Sequence, residues 1–450
     1  MFLKDKLYKT ILHLLSINGA SYIIMFLISV IIFRTVDKSY YGLYVIMISL
    51  FAITELLMAG LNDSLLRFLK EKVPLKDKQG IILFILLYKY FLIFIFIVCV
   101  FIAKEYSFFN FLIGNYEEVV TAINGFLIVV ILNGVLSNFI SINNSILNSQ
   151  LEYKFTARIE FIRNFVYLVV VFLLSLITTN YLHYLYSSSL ISLFTLIFLS
   201  AKIRISFNNF FITNIFKAKT SLSIGKKYIF PYSTPLTGTS ILTYVKNNLP
   251  TLILGKEFSL EDVAVFSILK TFFKALHSLS GSFVSPMMAT FLEIKKTDNN
   301  YSSKLGEIFF GMLLLRLALF FLVLLLNDYF FLIYKLDNNS VNQFIFYVLG
   351  IEFVIAGMIM IYGINLKLAT NTVKILTASL VRFGVELILI YLILIDYGIM
   401  AAALILLIAR FTETTITYIF CFRDGLFRFH SFILIIFVPI IVYFSYQMIL

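Results

Sequence analysis

The sequence predicts an all-α polytopic membrane protein: two parallel-related six-helix bundles around a central cavity, plus one extra C-terminal span. Hydrophobic residues make up 61% of the 450 residues and charged residues only 13%, which is too apolar for a water-soluble domain. About thirteen apolar stretches each approach the ~20 residues that a helix needs to cross a bilayer. The loops between them are short and leave no room for a sizeable globular domain.

The spans follow one another along the whole chain and divide it into four regions. We predict an N-terminal bundle over 1–205, a cytoplasmic connector over 206–227, a C-terminal bundle over 228–423 and an additional helix over 424–450. The predicted spans are 11–33, 41–66, 80–103, 119–147, 159–178, 182–203, 228–254, 263–291, 305–326, 341–366, 375–395, 398–421 and 431–449.

Two weak internal matches indicate that the bundles are copies of one unit. A short polar hairpin follows Phe33 in the first bundle and Leu254 in the second. Arg163 in span 5 and Arg382 in span 11 begin similar segments 219 positions apart. Because each copy holds an even number of spans, both begin on the same side of the membrane. The repeats are therefore parallel, as in transporters that bind substrate between two such bundles.

The net charge of +12 reflects membrane topology and not nucleic-acid binding. With the N-terminus placed inside, most of the Lys and Arg residues in loops lie on the cytoplasmic side, which is the positive-inside pattern. The opposite loops hold only a few cations: Arg34, Lys38, Lys104, Lys256 and Lys335.

The sequence contains none of the motifs that would indicate an enzyme. It has no GxxxxGK[ST] phosphate loop, no GxSxG and no HExxH. Its two cysteines and four histidines lack the spacing of metal ligands. We therefore predict a protein with no catalytic residues, cofactor or metal.

Spans 7 and 8 carry the most unusual polar residues. Lys270, Lys274 and His277 in span 8 fall at i, i+4 and i+7, on one helical face. Span 7 is rich in Ser, Thr and Pro, and holds Lys246 beside Asn247 and Asn248. At 1.5 Å per residue, the three lysines lie ~11–17 Å from the outer ends of their spans. They predict a cationic cavity lining, unless each lysine snorkels outward or pairs with a carboxylate.

Other charges embedded in the spans leave two interpretations open. Lys89 and Arg316 lie near mid-membrane and are candidates to extend the basic surface. Glu55 and Glu352 are candidates for ion coupling, or they neutralise those two cations. Each of two Arg–Glu combinations also fits an ion pair within one helix: Arg382 with Glu386, and Arg410 with Glu413.

Several segments resemble the Wzx-type polysaccharide flippases, in the superfamily of the MATE exporters and lipid II flippases. The likeness covers spans 1–12. It rests on Tyr41-Gly-Leu-Tyr44, on Ala59-Gly-Leu61 with Arg67, on Pro250–Glu261, and on Ser285-Pro286 with Phe291-Leu-Glu293. Ala264 stands where the family has Gly, and Asn247 or Asn248 where it often has an acidic residue.

The resemblance implies a flippase that moves an undecaprenyl-pyrophosphate-linked oligosaccharide by alternating access. The protein would be multi-pass in the bacterial cytoplasmic membrane, and a polysaccharide polymerase and a chain-length regulator would be its partners. Arg67 would help to gate or capture the headgroup, or else serve as a positive-inside anchor. Pyrophosphate needs several cationic donors, and Lys246, Lys270 and Lys274 would supply them.

Two other functions compete with this interpretation. A MATE-like exporter of small organic cations would need an acidic, aromatic cavity, whereas this one is predicted to be basic. A polysaccharide polymerase or ligase would present a large outer loop, which the sequence lacks.

Overall fold

α-Helix dominates the residues that the structure describes, and no β-strand occurs among them. This finding confirms the predicted all-α class. The predicted thirteenth span and most of the predicted connector lie outside the described residues. The computed structural model describes residues 2–51, 61–62, 64–65, 82, 84–85, 87–95, 97–98, 117–150, 152–206, 223, 229–281, 301–368 and 371–423.

Within these ranges the chain forms a succession of helices that agree closely with the predicted spans. The helices are α1 (Phe2–Thr35), α2 (Lys38–Phe51), α3 (Glu117–Ser149), α4 (Tyr153–Ser175), α5 (Tyr181–Ser206), α6 (Phe230–Glu257), α7 (Leu260–Gly281), α8 (Tyr301–Leu325), α9 (Asn327–Tyr334), α10 (Ser340–Leu368), α11 (Thr372–Leu389) and α12 (Ile395–Arg423).

Length and composition identify the strongest membrane-spanning candidates among the described residues. Three continuous helical stretches qualify: Tyr181–Ile203, Ser340–Lys367 and Thr372–Arg423. A fourth combines Gly311–Leu325 with Asn327–Tyr334, and the two pieces meet at an angle of 65°. The stretch from Thr372 is long enough for two crossings.

The chain divides into two compact units. The first unit is Ser16–Ala264, and the second is Met1–Leu15 together with Val265–Leu450. These units describe packing within the structure, whereas the predicted domains follow the sequence repeat and remain a prediction.

In the first unit, three long helices pack in mutual contact. Helix α3 packs against α5, α4 packs against α5, and α3 packs against α4. Helix α2 contacts α3, α5 and α6. Three polar residues of α3 and α4 are buried in this packing: Asn138, Thr156 and Asn164.

In the second unit, helices α10, α11 and α12 show the same set of pairwise contacts as α3, α4 and α5. Gly398 adopts φ 54° and ψ −129°, a conformation open essentially only to glycine. Because α11 and α12 pack on each other on either side of it, we identify Gly398 as the turn between spans 11 and 12. Helix α8 packs on α10, where Gly350 and Gly357 leave room for Phe320 and Arg316.

Candidate functional site

A buried lysine stands at the centre of the first unit's polar residues. The Lys89 side chain is only 1% exposed, and its Nζ donates a hydrogen bond of 2.9 Å to Asn62 Oδ1. Asn62 Nδ2 in turn donates to Ser141 Oγ on α3, over 2.5 Å. This chain joins residues from three predicted spans. Sequence reasoning selected Lys89 but missed Asn62, whose only signal is an amide in an apolar span.

Lys89 has no carboxylate within ion-pair distance among the described residues, and its one polar contact there is the Asn62 amide. A buried ammonium without a counter-charge is strongly unfavourable. An anion, or a carboxylate from the rest of the chain, would compensate this charge. The prediction that Glu55 neutralises Lys89 concerns a residue outside the described part of the chain, as does the prediction for Arg67.

Helix α6 also contributes a buried cation to the first unit. Its Lys246 side chain is fully buried. Asn248 Nδ2 donates to the Tyr244 carbonyl oxygen over 3.0 Å, and Asn247 precedes Asn248 in the same helix. The helix continues through Pro235 and Pro250. That these polar groups line a substrate cavity remains a prediction.

Helix α7 carries the other two lysines of the predicted cluster, in the second unit. Lys270 is half-buried, and its Nζ lies 5.7 Å from the centroid of the Phe266 ring. Lys274 is exposed. Since Lys246 belongs to the first unit, a cluster of all three lysines remains a prediction.

Arg316 on α8 is fully buried and makes a defined set of contacts in the second unit. Its Nη1 donates to the Phe353 carbonyl oxygen over 2.6 Å, and its Nη2 lies 3.2 Å from His277 Nδ1. Because a guanidinium only donates, the His277 ring nitrogen must accept this bond. The guanidinium also lies over the Phe353 ring, 4.8 Å from its centroid. The structure thus brings together two of the predicted site residues, Arg316 and His277.

A network of buried arginines and glutamates joins α10, α11 and α12. Arg382 Nη1 contacts Glu413 Oε2 at 2.7 Å, and Arg410 Nε contacts Glu352 Oε1 at 2.6 Å. The pairs predicted within single helices are present but longer, at 3.9 Å for Arg382–Glu386 and 3.2 Å for Arg410–Glu413. The shortest contacts are therefore between helices, and Glu352 is paired with Arg410.

Ser379 completes this network, and sequence reasoning missed it. Its Oγ donates to Glu413 Oε1 over 2.8 Å. Each oxygen of the Glu413 carboxylate is thereby engaged. Among the described residues, no group of three or more His, Cys, Asp and Glu side chains could hold a metal ion.

The two hairpins that the sequence identified as repeats pack against each other inside the first unit. A Cβ added at Gly42 would come within 2.1 Å of the Leu260 carbonyl oxygen. A Cβ at Gly255 would come within 2.5 Å of the Ile46 side chain. Only glycine fits at Gly42, because a backbone atom cannot move aside cheaply. The start of α2 is therefore held tightly against the turn between α6 and α7.

Comparison with known proteins identifies the fold. No family model matches the sequence, and a search of curated proteins finds no match. Several solved structures do match this chain, over most of its length and most of their own. A lipid II flippase MurJ in an inward closed conformation aligns with 97% of this chain and 92% of its own, at a TM-score of 0.70 and 15% identity.

Two further structures have the same fold. A MATE transporter in a bent conformation aligns with 93% of this chain and 95% of its own, at a TM-score of 0.67 and 12% identity. A MOP-superfamily transporter from Pyrococcus furiosus is described as having a binding pocket of reverse polarity. It aligns with 93% of this chain and 95% of its own, at a TM-score of 0.69 and 13% identity. At such identities the likeness shows the fold alone: this chain has the fold of the MOP-superfamily transporters.

Proposed function

We propose that this protein is a flippase for undecaprenyl-pyrophosphate-linked oligosaccharide, moving it from the cytoplasmic to the outer leaflet by alternating access. It acts without catalytic chemistry or a cofactor, in the bacterial cytoplasmic membrane with its N-terminus inside. Arg67 and Lys246 with Asn247 and Asn248 belong to the same proposed substrate path. A polysaccharide polymerase and a chain-length regulator receive the product.

Lys89 carries the proposal. It is a buried cation whose only described polar partner is a neutral amide. A pyrophosphate oxygen would provide a counter-charge, and the Asn62 amide is already placed to orient the ammonium. In the second unit, the proposed substrate-binding residues are Arg316, His277, Lys270 and Lys274.

The carboxylates of the second unit argue against an exporter of organic cations, although MATE transporters share the fold. Glu352, Glu386 and Glu413 are each engaged by an arginine, at 2.6, 3.9 and 2.7 Å. An organic cation would have to displace a guanidinium from one of them. Ion coupling through Glu352 would require breaking its contact with Arg410, and Glu55 is the other candidate.

The packed hairpins support alternating access. With the N-terminus inside, both hairpins lie on the outer side of the membrane. Their contact through Gly42 and Leu260 then closes the first unit's outer end, as required of a carrier loaded from the cytoplasm. Substrate release would need this contact to open.

The test is flipping of a fluorescent undecaprenyl-pyrophosphate oligosaccharide in proteoliposomes. We expect Lys89→Gln to slow flipping about tenfold, because a charge-assisted contact contributes ~1.5–3 kcal/mol. The exposed Lys154→Gln is the matched control and should flip at the wild-type rate. Wild-type flipping by Lys89→Gln would refute the role of Lys89.

A second pair of variants tests the cation on α7. Lys270→Arg preserves the charge and should retain most flipping, whereas Lys270→Glu should abolish it by repelling the pyrophosphate. Equal flipping rates for Lys270→Arg and Lys270→Glu would exclude an electrostatic role for Lys270. Energy-dependent uptake of a cationic dye, with no flipping of the lipid, would instead support the MATE-like exporter.

A further inference from the structure

Helix α9 departs sharply from the direction of the span before it. It covers Asn327–Tyr334 and meets α8 at an angle of 65°. Helix α8 has 25 residues, and its length of ~37 Å exceeds the ~30 Å of the hydrocarbon core. At an angle of 65°, the ~12 Å of α9 advance only ~5 Å along the direction of α8. Helix α8 therefore crosses the bilayer by itself, and α9 turns toward the membrane plane.

One face of α9 packs against the rest of the second unit. Phe330, Phe331 and Tyr334 are all buried. The Phe330 ring lies 4.7 Å from the Phe272 ring on α7 and 5.0 Å from the Phe346 ring on α10, measured between centroids. These aromatic contacts attach α9 to α7, the helix that carries three of the proposed substrate-binding residues.

The opposite face of α9 is apolar as well, but it is exposed. Tyr329, Leu332 and Ile333 fall at i, i+3 and i+4 and are 64%, 71% and 40% exposed. The exposed side chains of Leu322 and Leu325 on α8 continue this surface into the membrane span. A helix that is apolar all round needs an apolar partner on each face. The protein covers one face of α9, and the lipid that surrounds α8 is in position to cover the other.

Polar residues at both ends of α9 limit how deep it can lie. Asp328, near its start, accepts a hydrogen bond of 3.0 Å from Asn338 Nδ2, and both residues are exposed. Lys335 ends the helix in the left-handed conformation, at φ 50°, and is also exposed. Charged groups are unfavourable in the hydrocarbon core, whereas the apolar face is unfavourable in water. The boundary between lipid and water accommodates both.

We propose that α9 is an anchor in the lipid–water interface, where Tyr329, Leu332 and Ile333 insert among the lipids just below the headgroups. The predicted topology makes this the outer leaflet, because span 9 begins on the cytoplasmic side. Tyr329 suits this depth, since its ring is apolar and its hydroxyl group is polar. The packing of Phe330 on α7 and α10 then fixes those two helices relative to the membrane surface.

The test measures the depth of a single fluorophore in proteoliposomes of the full-length protein. Nitrobenzoxadiazole is attached to the thiol of Leu332→Cys, after Cys99→Ser and Cys421→Ser remove the native thiols. One lipid carries a nitroxide quencher near the headgroup, another carries it near the chain end, and iodide quenches from the water. We expect the shallow nitroxide to reduce the fluorescence more than the deep one, and iodide to reduce it only weakly.

Two other positions serve as matched controls. Leu314→Cys is exposed on α8, eleven residues and ~16 Å before its end, and should be quenched most by the deep nitroxide. Asp337→Cys lies in the exposed polar segment after α9 and should be quenched most by iodide.

The proposal is overturned if the probe at Leu332 behaves like either control. A pattern like that of Leu314 would show that α9 continues the span, and one like that of Asp337 would place α9 in water. Quenching by neither nitroxide nor iodide would show that protein covers this face, which also contradicts the proposal. No readout involves oligosaccharide, so the flippase assignment stands or fails separately.

Discussion

The three-helix groups α3–α4–α5 and α10–α11–α12 have the same pairwise packing, but they differ in where their arginines are paired with carboxylates. In the first group Arg163 is partly exposed, 3.5 Å from a carboxylate of its own helix. In the second, Arg382 is fully buried, 2.7 Å from a carboxylate of the neighbouring helix. The sequence match that relates these arginines therefore preserves the residue and changes what it does.

This difference assigns separate tasks to the two groups. Interhelical ion pairs inside a low-dielectric core fix the register of α11 against α12, because any shift leaves charges uncompensated. The first group lacks such pairs among its described residues and uses weaker amide and hydroxyl contacts, such as Asn143 Nδ2 to Ser200 Oγ at 3.0 Å. We infer that the second group is the rigid part and the first group the adaptable part.

The largest effect should come from removing the buried arginine. Arg382→Gln leaves Glu386 and Glu413 with one cation fewer, and breaking a buried pair costs ~3–5 kcal/mol. We expect a large fall in the melting temperature of the purified protein, or little folded protein at all. Arg382→Lys keeps the charge but loses the planar guanidinium and its paired N–H donors. Its melting temperature should therefore lie between those of Arg382→Gln and the wild type. An Arg382→Gln protein as stable as the wild type would contradict the rigid-core interpretation.

A smaller effect should come from closing the space around Arg316. A Cβ at Gly357 would lie 2.4 Å from Arg316 Cδ, and that side chain is fully buried and cannot easily shift. Gly357→Ala should therefore destabilise the protein by ~1–3 kcal/mol.

Gly363 on the same helix provides the matched control, because nothing lies within 4 Å of its added Cβ. Gly363→Ala should be neutral or stabilising by up to ~1 kcal/mol, since alanine favours the helix. Thermal unfolding of both variants in one detergent separates steric conflict from helix propensity. Equal shifts in melting temperature for Gly357→Ala and Gly363→Ala would show that α10 accommodates the extra methyl group at Gly357.

The sequence was sufficient for the helices, since apolar length predicts spans directly. It was also sufficient to select Lys89, Arg316 and His277 as polar groups inside them. It was not sufficient for partners on other helices. Helical periodicity relates Arg382 to Glu386 four residues away, but not to Glu413, which is close only because α11 packs on α12. Asn62 escaped notice for the same reason, because its importance depends on Lys89 facing it from another helix.

The smallest effect on stability should come from the first group's arginine. Arg163 forms a partly exposed ion pair with Glu160, and such pairs contribute ~0–1 kcal/mol. In detergent, Arg163→Gln should therefore melt within a few degrees of the wild type and far above Arg382→Gln. If Arg163→Gln lowered the melting temperature as much as Arg382→Gln does, the two groups would be equally rigid. The contrast between them would then not hold.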